Sequence, residues 1–344
     1  MAERILATGA IRGRILTELQ AYRDGHVDYV KEVHPQEFLL SLSELTTKSC
    51  YSSLIRQPLF LRATHLLAQR LKHYGPYELL DPARVWIGVT MPDNEKYFGG
   101  FYHHDQGYRY LQQIAIMSLS GVFSSHRVDY TLATLELIRA YAHDTLHYNS
   151  YRLFCPLPQT EAGSFYRLQY GINFRKWNGV TYSARDSVRS TTTRNLGNIM
   201  EAATDRFAHE LVVSLAQETT NSRAPHHWQD MYCDPVSYYV YRDCTGQLTK
   251  ADICRLRDIE TGRIDIKTST NFKIYLKSMR IFVQFVNLRY NQFLTDLDPK
   301  QSHQIHHLII QSMLSGKMKE LCKYLDTLLS EKRSFASLFK TSYF

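Results

Sequence analysis

From about Val128 to Tyr151 the sequence keeps a helical pattern, and its second half reads AYAHDTLHYN. Leu135, Leu137, Ile138, Ala140, Tyr141, Ala142, Thr145, Leu146 and Tyr148 are all apolar or uncharged. Such a helix belongs inside a fold. His143 and His147 nevertheless stand four residues apart on it, one turn along the same face. Burying two imidazoles costs free energy unless a hydrogen bond or a metal ion satisfies them. Two readings of the pair stand. They are core histidines bonded within the protein, or they are two ligands of one tetrahedral Zn²⁺ at Zn–N distances of ~2.0–2.1 Å. The second reading requires a third protein ligand and an open position.

A second stretch, NLGNIMEAATDRFAHELV, supplies a carboxylate. Glu201 and Asp205 are four apart, and His209 is the next polar residue on that face. Their neighbours Ile199, Met200, Ala202, Ala203, Phe207 and Ala208 are apolar or small. An acidic first turn favoured by the helix dipole accounts for the pair. So does a ligand set well inside a helix that begins at Thr192 or Asn195.

The order of these elements resembles the gluzincin branch of the zinc metallopeptidases. HDTLH lies on a first helix, YGINF lies in a hairpin, and MEAATD opens a second helix. The similarity spans about residues 107 to 215. It implies a zincin-like core, with His143, His147 and Glu201 holding one Zn²⁺ per chain and a protein or peptide as substrate. It also implies that Asp205 orients the ring of His143. Two positions depart from the family. Met200 stands where an asparagine is common, and Asp144 replaces the glutamate that serves as general base. Aspartate keeps the carboxylate but is one methylene shorter, so its oxygens fall back by ~1.5 Å from a water that must lie within ~2.6–3.2 Å. Three outcomes stay open: a backbone set closer to the metal, a less demanding reaction, or an inactive relative. His226, His227 and Tyr232, downstream of Glu201, are candidate donors to an oxyanion.

Around these helices the pattern is mixed. Residues up to about 82 read as helices, with PLFLRATHLLAQRLKHYG running to Gly75. RVWIGVTMP reads as a buried strand, and Asp105-Gln106-Gly107 as the turn of a first hairpin. The strand YRYLQQIAIMS offers either an open edge for an extended peptide or an ordinary inner strand. Tyr166, Leu168 and Tyr170 alternate with polar residues, and Asn178-Gly179 is a turn signal for a second hairpin. From about Thr249 the chain reads as mainly helical, with Asp298-Pro299 starting a new helix. The expected class is α+β, with an antiparallel sheet in a core of residues 83–245. Helical segments 1–82 and 246–344 flank it.

Composition narrows the function classes. At 44% hydrophobic and 22% charged the chain reads as an ordinary globular protein. No apolar run approaches a membrane span, and the start shows no secretory signal. The six cysteines form no C-x-x-C pair, which predicts reduced thiols and a cytoplasmic protein. A net charge of +8 favours acidic partners, although no motif indicates nucleic acid. Two alternatives to a peptidase follow. YAHDTLH also resembles the HDxxH of HD-type phosphohydrolases, with His104 or His126 upstream and Asp205 downstream as further ligands. That resemblance implies an all-helical fold. A non-enzymatic binding protein is the other, with Lys267, Lys273, Lys277, Arg280 and Arg289 on a basic helical surface.

Overall fold

The computed structural model describes residues 3–24, 39–48, 55–88, 101–103, 115–118, 130–157, 165–174, 196–219 and 290–331. The described chain is α+β. Its elements run β1 (Glu3–Ile5), α1 (Gly9–Asp24), β2 (Leu39–Ser41), α2 (Leu42–Thr47), α3 (Gln57–Lys72), β3 (Val85–Gly88), β4 (Phe101–His103) and β5 (Ala115–Ser118). There follow α4 (Tyr130–Asn149), β6 (Arg152–Pro156), β7 (Phe165–Tyr170), β8 (Asn173–Phe174), α5 (Gly197–Thr219), α6 (Pro299–Ser315) and α7 (Lys319–Glu331). They group into two compact units, residues 1–168 with 210–218 and residues 169–209 with 219–344.

Two four-stranded sheets form, in the orders β2-β3-β5-β4 and β1-β6-β7-β8. Both mix strand directions. β3 pairs with β5 in parallel and β1 with β6 in parallel, whereas β2·β3, β4·β5 and β7·β8 are antiparallel. β1 and β2 fall inside the segment read as helical. Each is three residues long, too short to show a period of two, and each exists because it pairs with a distant strand. β5 lies between β3 and β4, so YRYLQQIAIMS presents an inner strand there rather than an open edge. The first hairpin forms as β4·β5, and its turn residues lie outside the described chain.

The second hairpin turns at Gly171-Ile172, between β7 and β8, and Asn178-Gly179 lies outside the described residues. On β7 the buried face carries Phe165, Arg167 and Gln169, while Tyr166 and Leu168 are only partly covered. Gln169 faces inward because carbonyl partners wait there. Gln169 donates its amide to the carbonyls of Gly171 and Gly316. Phe165 packs edge-on to Phe154, centroids 5.4 Å apart, with Ile15 and Leu19 of α1 completing the cluster.

Gly171 has φ +55°, and a Cβ there would lie 2.6 Å from Met200 Sδ and 3.1 Å from Met313 Cγ. A left-handed non-glycine residue and an overpacked contact each cost on the order of 1–2 kcal/mol. Gly171→Ala is therefore expected to lower stability by about 2–3 kcal/mol. An unchanged urea midpoint would refute this account of the turn.

α6 forms where Asp298-Pro299 signals it. Asp298 accepts from the backbone N–H groups of Lys300 and Gln301, Pro299 opens the helix, and Gly316 closes it at φ +72°.

Candidate metal centre

α4 carries His143, Asp144 and His147, and α5 carries Glu201, Asp205 and His209. α4 is fixed along its length. Near its start, Thr134 accepts from the Arg56 backbone N–H at 2.8 Å. In the middle, Tyr141 donates its hydroxyl to the Leu80 carbonyl and packs 5.6 Å from Phe60 of α3. Burial holds that phenol neutral by pushing its pKa up. α3 also grips the later turns of α5, because Arg70 donates to the Glu210 carbonyl and to Ser214 Oγ.

The C-terminal end of α4 is secured from β6. The fully buried Arg152 guanidinium donates to the carbonyls of Tyr148 at 2.8 Å, His147 at 3.3 Å and Ser150 at 3.4 Å. These are carbonyls at the end of the helix, where no further turn exists to satisfy them. A cation there also meets the negative end of the helix dipole. Asn149 adds a clasp, donating to the Glu78 and Thr145 carbonyls and accepting from the Glu78 N–H. No motif singles out Arg152. A basic residue just past a helix end was the available signal. Arg152→Met strips these carbonyls of a buried donor, so a loss of about 2–4 kcal/mol is expected in urea unfolding. A loss below about 0.5 kcal/mol would mean that the carbonyls find other partners.

These helices bring His143, His147 and Glu201 together, with one ligand atom from each lying within 4.8 Å of the others. The imidazole centroids are 4.7 Å apart with planes inclined at 55°. Two atoms bound to one ion at ~2.1 Å sit at most ~4.2 Å apart, and ~3.4 Å apart in a tetrahedron. Rotamer adjustments of a few tenths of an ångström to about one ångström close that gap. Two imidazole nitrogens and a carboxylate oxygen are the donor set of hydrolytic zinc sites. The residues thus fit a divalent ion and form a zincin-like metal-binding site.

Burial within the group is uneven. His143 and Glu201 keep partial exposure, whereas His147 is 2% and Asp144 0% exposed. Glu201 is the fifth residue of α5, which has no acidic residue in its first turn, so the helix-dipole reading of Glu201 does not hold. Asp205 and His209 follow it at successive turns and are buried. Among the described residues no other group of three histidines, cysteines or carboxylates converges in this way. His104, His126, His226, His227, Tyr232 and the basic residues between Lys267 and Arg289 lie outside the described chain. Cys155 and Cys322 are buried. No described helix is long and apolar enough to cross a membrane.

Comparison with known protein families, curated proteins and solved structures finds no match to this chain.

Proposed function

We propose that the chain is a zinc-dependent hydrolase of the metallopeptidase type, acting on a protein or peptide. The observation that carries this reading is the convergence of His143, His147 and Glu201 from two helices onto one point. The order of elements supports it, because an HDxxH helix, short strands and a glutamate-bearing helix follow one another as in the gluzincins. Zinc suits two imidazoles and one carboxylate, and three protein ligands leave a fourth position open. When bound, such an ion supplies Lewis acidity toward a carbonyl and toward water.

The protein's own groups supply the rest. Asp144 takes the proton from the attacking water and returns it to the leaving amine. Asp205, one turn beyond Glu201, orients the ring of His143 and fixes its tautomer. The partial exposure of His143 and Glu201 supports substrate access from their side. The phosphohydrolase alternative implies an all-helical fold, and two sheets stand against it.

Elemental analysis of the purified protein tests the reading. About one zinc per chain is expected, with peptidase activity on unfolded protein that a chelator removes and zinc restores. Protein that takes up no divalent ion after dialysis against zinc would overturn it.

A further inference from the structure

Outside the buried group, α6 carries a second pair of histidines four residues apart. His303 is exposed and His307 partly exposed, and their rings stack with centroids 6.3 Å apart and planes inclined at 22°. His306, the residue before His307, takes a different role. It is buried, and its Nδ1 lies 3.0 Å from the Tyr290 hydroxyl. The sequence SHQIHHLII thus separates one core histidine from two that share an outer face.

We propose that His303 and His307 form a second, surface site for Cu²⁺. The distances permit it. An imidazole nitrogen lies ~1.1 Å from its ring centroid and ~2.0–2.1 Å from a bound ion, so two centroids on one ion are ~4.5–5.2 Å apart at a cis or tetrahedral angle, and the rings need to close by only about 1–2 Å. Rotation of the two side chains turns the stacked rings toward a common ion with no movement of the helix. Neutral imidazole is the ligating form, and burial together with the neighbouring His303 lowers the pKa of His307. Water completes the shell, because a surface pair leaves the remaining positions open.

The backbone that spaces the pair is already fixed. Asp298 and Gly316 cap α6, and Ile305, Ile309, Ile310 and Met313 anchor its inner face. Binding the second imidazole is then an intramolecular step on a rigid frame, worth on the order of 10²-fold in affinity. Imidazole donors favour the late first-row ions, and among these Cu²⁺ binds most tightly. Both ligating side chains lie on α6, and neither belongs to the buried group.

Copper titration of the full chain, followed by calorimetry and electron paramagnetic resonance, tests it. In a His143→Ala background a Cu²⁺ site is expected with the signature of two imidazole nitrogens. Adding His303→Ala or His307→Ala should weaken it about 10²-fold and leave one imidazole nitrogen in the spectrum. Gln304→Ala on the same helix should leave it unchanged. Circular dichroism on each variant separates lost binding from lost folding. Copper affinity and spectrum unaltered by both histidine substitutions, in folded protein, would overturn the proposal. So would the absence of any such site in the His143→Ala background.

Discussion

His143→Ala is expected to take the zinc content from about one ion per chain to near zero and to abolish hydrolysis. Three protein ligands are the minimum that holds a catalytic zinc. Loss of a supporting group outside the ligand set already costs ~10–100-fold in affinity, so loss of a ligand should cost at least ~10²-fold. His147→Ala should behave alike, with an added penalty because the ring is 2% exposed and its removal leaves a cavity. Glu201→Gln keeps the shape of the side chain and removes its charge, so partial retention of zinc is expected. The fold should survive His143→Ala, since Arg152, Asn149, Tyr141 and Thr134 hold α4 without it. A folded His143→Ala protein with undiminished zinc would place the metal elsewhere.

Asp144→Asn separates metal binding from proton transfer. Zinc content should be retained while hydrolysis falls by ~10²–10⁴-fold, the usual contribution of a positioned general base. Asp144→Glu is the more informative change. It restores the side-chain length of the resembling peptidases, yet Asp144 is 0% exposed and has no solvent-facing space to extend into. One added methylene in a packed site costs ~1–3 kcal/mol. The glutamate variant should therefore be less stable and slower than the parent protein. Stability follows from thermal unfolding, and rate from peptide hydrolysis at saturating zinc. A glutamate variant faster than the parent would show that reach, not packing, limits the reaction. Equal rates in the asparagine variant and the parent would remove Asp144 from the chemistry altogether.

Long elements were legible because they carry their own periodicity. α4 and α5 span 20 and 23 residues, enough for apolar spacing to declare a helix. The start of α6 was legible because Asp298 and Pro299 are local signals that act within one turn. The short strands were not. β1 and β2 hold three residues each, and their pairing with β6 and β3 is a property of the folded chain. The inward parity of β7 escaped for a related reason. Arg167 and Gln169 read as outward-facing until the fold supplies carbonyls for the Gln169 amide.

The sequence by itself determined the candidates of the site. It placed two histidines on one face of one helix and two carboxylates on one face of another, because a helix fixes neighbours at four-residue spacing. It also determined that Asp144 is short, since side-chain length is a matter of identity alone. Whether the three ligands meet was decided only in three dimensions. The spacing from His147 to Glu201 says nothing of distance until the strands between them turn and α3 binds Tyr141 of α4 and the later turns of α5. The burial of Asp144 was decided there as well. A carboxylate's neighbours come from packing of distant segments, and that packing settles whether a shorter acid sits in open solvent or against a filled wall.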